Sequence, residues 1–128
     1  MIIRLINKKQ LTQTQLNFTL IGVKEPLTND SNCDGIICFK TEEIQTFLDS
    51  YSNEIGFGFH LSVNDNIYIL EILESEQLQV LSHCTSKYKD AVLVKGSIDL
   101  FSILVRGYYT CTNCSNNGEY EFSAFKPI

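Results

Sequence analysis

Apolar and polar positions follow several distinct rhythms along this chain, and each rhythm predicts an element. Ile2 to Ile6 is a short apolar run broken only by Arg4, and Asn17 to Val23 places Phe18, Leu20 and Gly22 on one side; both read as strands. The polar Gln/Thr stretch between them reads as a connection. Glu25-Pro26 stops the second strand, because proline cannot donate to a ladder. Thr28 to Gly35, rich in Asn, Asp and Ser, is a loop. Gly35 to Lys40 then holds Ile36, Ile37, Cys38 and Phe39 in a row, the pattern of a strand buried on both faces.

A helix is predicted over 41–52. Thr41 reads as its cap, Glu42 and Glu43 sit at the positive end of its dipole, and Ile44, Phe47, Leu48 and Tyr51 form one apolar stripe. Ile55 to Val63 alternates strictly, with Ile55, Phe57, Phe59, Leu61 and Val63 against Gly56, Gly58, His60 and Ser62, which predicts a half-buried strand. Asn64-Asp65-Asn66 has turn chemistry, and Ile67 to Leu73 follows as a return strand, apolar on both faces and therefore central. Residues 74–82 lean towards a strand carrying Leu78 and Val80 over a short helix carrying Leu78 and Leu81, and Ala91 to Lys95 is a short strand.

Ser97 reads as the cap of a second helix over 97–106, with Ile98, Phe101, Leu104 and Val105 inward and Gly107 ending it; its β-branched residues leave a strand as the alternative. Tyr108 to Thr112 and Glu119 to Phe125 flank a turn at Asn116-Asn117-Gly118, a terminal hairpin. The sum is an α+β fold: a single domain, 1–128, mainly antiparallel sheet with two helices, at about 41–52 and 97–106.

Composition agrees with that picture. At 128 residues, 44% apolar and 20% charged, the chain has the makings of one domain with its own core. Its apolar runs fall well short of the ~20 residues a membrane helix needs, and its first residues put a short apolar piece before the lysines, unlike a secretory signal. The reading is cytoplasmic. Five cysteines, an odd number, do not complete a disulfide framework and fit reduced thiols.

Several chemistries are suggested weakly. Cys111 and Cys114 have C-x-x-C spacing, and His83 and Cys84 would complete a tetrahedral zinc site, but no second C-x-x-C is present and the thiols read first as small apolar residues. His60, on the predicted Gly56/Gly58 face beside Asp65 and Glu71, has the chemistry of a general base in a small enzyme or ligand-binding domain; glycines in a strand more simply admit a packing element. Glu71, Glu74 and Glu76 form no metal loop or other catalytic motif. No cofactor is expected.

Charge changes the picture most. From Thr41 to Ser86 the chain carries Glu42, Glu43, Asp49, Glu54, Asp65, Glu71, Glu74 and Glu76 and no Lys or Arg, against a net charge of -5 for the whole. Glu42 and Glu43 are explained by helix capping and Asp65 by its turn, leaving Asp49, Glu54, Glu71, Glu74 and Glu76, unless Lys8, Lys9, Lys87 or Lys89 neutralise them in space. An uncompensated field of this sign steers a basic protein. The expected function is therefore a small binding protein without enzymatic activity. It would neutralise a basic protein partner, foremost as an immunity protein occluding a bacterial nuclease-type toxin, with Tyr51 and Tyr68 as aromatic anchors. A phage-type inhibitor of a host defence nuclease shares this signature. Direct nucleic-acid binding is not expected at a pI near 4.9, the exception to watch being a basic and aromatic group of Arg106, Tyr108, Tyr109 and Lys126.

Overall fold

The computed structural model describes residues 1–17, 19–20, 35–76, 78–82, 90–95, 98–115 and 117–128. In chain order the elements are β1 (Ile2–Asn7), α1 (Lys8–Asn17), β2 (Thr19–Leu20), β3 (Gly35–Lys40), α2 (Ile44–Ser50), α3 (Ser52–Gly58), β4 (Asn66–Ile72), β5 (Val80–Ser82), β6 (Ala91–Lys95), β7 (Ile98–Asp99), a 3₁₀ turn (Leu100–Ser102), β8 (Ile103–Cys114), β9 (Tyr120–Phe122) and β10 (Lys126–Pro127). The main sheet runs β10-β8-β4-β1-β3-β6-β5, with β9 also on β8, and every pairing is antiparallel. This is the expected α+β architecture on a mainly antiparallel sheet, with three helices among the described residues rather than two.

Strand alternation sorts side chains to the two faces of the sheet. One face carries Ile2, Ile6, Ile36, Cys38, Leu70, Ile72, Val92, Val94 and Ile103, covered by Leu11 of α1 and Ile98 of β7. The other carries Ile3, Leu5, Ile67, Ile69, Tyr109 and Cys111, covered by Ile44, Phe47 and Leu48 of α2, Ile55 of α3 and Leu61. β1, β3 and β4 read as apolar on both faces because each lies inside the sheet and is covered on both sides.

Four expectations are corrected. The Gln/Thr stretch after β1 is a helix, α1, started by a reciprocal cap: the Gln10 amide donates to Asn7 Oδ1 (2.8 Å) and the Asn7 amide to Gln10 Oε1 (3.0 Å). Thr41 does not cap α2, since the cap residue is Glu43, without a side-chain cap bond. Instead the Thr41 hydroxyl closes a local turn with the Glu43 backbone.

Ile55 to Val63 is not a strand. Its first half is α3, where Ile55 is buried at 5% exposure while Phe57, on its supposed inner face, is 68% exposed. Helical spacing puts Ile55 and Phe59 on one side, and the alternation was a coincidence of large residues at odd positions. The helix ends in a Schellman turn: His60 takes φ 51°, its amide donates to the Phe57 carbonyl, and the Leu61 amide donates to the Gly56 carbonyl.

Residues 97–106 do not form a helix either. Ile98–Asp99 pairs with Thr19–Leu20, a 3₁₀ turn follows, and Ile103 onward is the long strand β8. β-Branched Ile103 and Val105 suit the pleat, and the open side of β4 supplies partners from Ile72 to Asn66. Gly107, expected as a helix end, sits at a β-bulge with φ 153°, where the Lys126 backbone packs against it with no room for a side chain. Within 74–82 only Val80–Ser82 is strand. The hairpin of β8 and β9 is as expected. Of the strand expected over 17–23, Thr19 and Leu20 are found, and residues 18 and 21–23 lie outside the described residues.

Candidate partner-binding surface

The acidic stretch passes over three parts of the molecule. Asp49 and Glu54 are exposed on the layer formed by α2 and α3. Asp49 lies in the last turn of α2, where the helix dipole disfavours a carboxylate, and accepts a hydrogen bond from Gln45 Nε2 (2.7 Å). Glu54 lies in the first turn of α3, where the dipole favours it. This layer is pinned by polar contacts from beneath. Asn53 Oδ1 accepts the Tyr120 amide (2.9 Å), Gln45 Oε1 accepts the Phe125 amide (2.8 Å), and Ser52 Oγ meets the Tyr109 hydroxyl (3.0 Å). A side chain at Gly56 would overlap the Tyr120 ring, so glycine lets the hairpin close onto α3.

Glu71 lies on β4 and pairs with Arg106 at 3.7 Å, a neutralisation between neighbouring strands. Glu74 lines an open cleft of about 500 Å³ at one end of the sheet, together with Met1, Lys40, Thr41, Glu42 and Asp90. The chain closes this end by backbone bonds: the Thr41 amide donates to the Met1 carbonyl, and the Lys40 amide to the Asp90 carbonyl. The cleft therefore sets three carboxylates against two ammonium groups, that of Lys40 and the N-terminal one of Met1, which donates to the Thr41 carbonyl (2.9 Å). Glu42 had a local explanation in the sequence, and Asp90 stands outside the acidic stretch; only pairing of β1, β3 and β6 brings them to Glu74. Glu76 is exposed in the following turn.

The aromatic residues sort differently from expectation. Tyr51 packs half-buried against the α2 side of the core, its ring 4.9 Å from that of Phe47. Tyr68 is half-buried on the opposite face of the sheet. The aromatic side chain that α3 presents to solvent is Phe57, and reading 52–58 at helical spacing would have found it, one turn after Glu54.

The strand face expected to carry Gly56, Gly58 and His60 together does not form. Gly56 lies under Tyr120, Gly58 is an open helix end and His60 is an exposed turn residue, so the three do not share a strand face. Cys111 and Cys114 come to one face because a bulge between Cys111 and Asn113 breaks the alternation, with Cys111 opposite Phe122 and Cys114 opposite Tyr120. Burial raises the Cys111 thiol above its usual value, and burial pushes the Cys38 thiol up to about 12, so neither is a ready thiolate. Among the described residues no group of three His, Cys, Asp or Glu side chains could hold a metal; His83 and Cys84 lie outside them.

No protein family model, curated protein or solved structure matches the chain. Among the described residues no helix is long and apolar enough to cross a membrane.

Proposed function

We propose that this chain is a small cytoplasmic binding protein that neutralises a basic protein partner, in the manner of an immunity protein that occludes a nuclease-type toxin. One observation carries the reading. Of the eight carboxylates between Thr41 and Ser86, Glu71 is the one in an ion pair among the described residues. Seven acids of one stretch without an ion pair among the described residues contribute a negative field at some cost in self-repulsion, and such a field speeds encounter with a cationic surface.

The helical layer offers Asp49, Glu54 and, one turn after Glu54, exposed Phe57, and the cleft offers Glu42, Glu74 and Asp90. A nuclease binds phosphate through Lys and Arg, and those are the side chains such carboxylates receive. Phe57 supplies the apolar centre that a charged rim by itself lacks.

The test begins with capture of the partner from the native host. Charge reversal at Glu74 and Glu76, and separately at Asp49 and Glu54, is then expected to slow association by about tenfold and flatten its dependence on salt. Unchanged association with every basic partner tested would sink the reading.

A further inference from the structure

The other face of the sheet carries a feature that partner neutralisation does not use. Tyr68 of β4 and Tyr108 of β8 are direct cross-strand partners, and Lys126 of β10 is the partner of Tyr108. Opposed residues share a face, so these three form one row across three strands. Lys8, opening α1, closes the row at its other end. Its Nζ lies 5.6 Å from the centre of the Tyr68 ring, and Lys126 Nζ lies 5.7 Å from that of Tyr108. The two ring centres are 6.0 Å apart.

Both rings are half-buried and both lysines are exposed. The next rung is polar, Thr110 donating its hydroxyl to Asn66 Oδ1 at 2.7 Å. Cation–π attraction explains where the lysines rest. It does not explain why two cations without an ion pair among the described residues flank an aromatic pair on a chain of net charge -5. The row also differs from the basic and aromatic group expected from sequence. Tyr109 faces the other way, stacked on Phe122, and Arg106 is held by Glu71.

We infer that the row of Lys8, Tyr68, Tyr108 and Lys126 binds single-stranded nucleic acid. Two ammonium groups without an ion pair among the described residues select an anion, and two adjacent rings select planar aromatic groups. A single strand offers phosphate and an unstacked base at every nucleotide. A duplex hides its base faces and calls for a more extensive basic surface. The overall negative charge does not forbid this, because screening confines each charge to about 8 Å in physiological salt. The site is independent of the acidic surface and does not rest on the function proposed for it.

The experiment is fluorescence anisotropy of a labelled single-stranded oligonucleotide of about ten nucleotides, titrated with the full chain. Saturable, salt-sensitive binding is expected. It should weaken by about tenfold in the Lys8→Gln/Lys126→Gln double variant and in Tyr108→Leu, and persist in Tyr108→Phe, which keeps the ring. The lysine variant alters only exposed side chains, so it remains decisive even where Tyr108→Leu fails to fold. Absence of saturable binding would overturn the inference. So would binding that the lysine variant leaves unchanged, or equal binding of the matching duplex or of inorganic polyphosphate.

Discussion

At the scale of single residues, two positions owe their identity to what packs against them. Gly56 lies inside α3, where alanine is ordinarily better than glycine by about 1 kcal/mol. The Tyr120 ring occupies the place a side chain would take, so Gly56→Ala is expected to destabilise by about 1–3 kcal/mol instead. Chemical denaturation reads the sign directly, and a stabilised variant would contradict the packing of the hairpin on α3. Cys38 is the second case. Burial raises its thiol from 9.0 to about 12, partly opposed by nearby Arg4. The unfolded chain therefore loses this proton first, and the stability it contributes is complete below 9.0 and falls as pH rises towards about 12. One proton corresponds to a slope of about 1.4 kcal/mol per pH unit. Tyr109 and Cys111, also raised by burial, act in the same direction. Cys38→Ala should lower stability at neutral pH yet make its alkaline decline shallower. Urea midpoints measured across that range would show it.

At the scale of elements, α1 shows how a cap can outweigh composition. Its residues Lys8 to Asn17 are polar apart from Leu11 and Leu16, and among its described side chains only Leu11 and Thr14 are buried. Such a sequence has little intrinsic reason to be helical, and its start depends on the reciprocal bonds between Asn7 and Gln10. Asn7→Ala is expected to cost about 0.5–2 kcal/mol, with loss of helical signal by circular dichroism if α1 unravels. An unchanged melting curve would show that Leu11 packing suffices. The signal was present in the sequence as Asn7 followed three residues later by Gln10. The stripe of Ile44, Phe47, Leu48 and Tyr51 was legible because helical periodicity and burial agree there. For 55–63 and 97–106 periodicity misled, since a few large residues fit two templates and tertiary partners chose between them.

At the scale of the whole molecule, charge is distributed unevenly over an evenly built core. Acids lie on the helical layer and at the cleft, while the opposite face of the sheet carries the row of lysines and tyrosines. With Glu71 the one acid of Thr41–Ser86 in an ion pair among the described residues, self-repulsion should be relieved by salt. Raising ionic strength from about 0.01 M to about 1 M shortens the screening length from about 30 to 3 Å, and the urea midpoint is expected to rise with it. A midpoint that falls would mean that attractive pairs dominate after all. The α+β class, the strands whose apolar runs are unambiguous, the helix after Thr41 and the concentration of acid are legible along the chain, because periodicity and composition are local properties. That Glu74 shares a cleft with Glu42 and Asp90, that Phe57 rather than Tyr51 faces solvent, and that Tyr68 joins Tyr108 and Lys126 emerge only on folding. Those neighbours are set by strand register and by which face each helix covers, and both depend on partners far away in the chain.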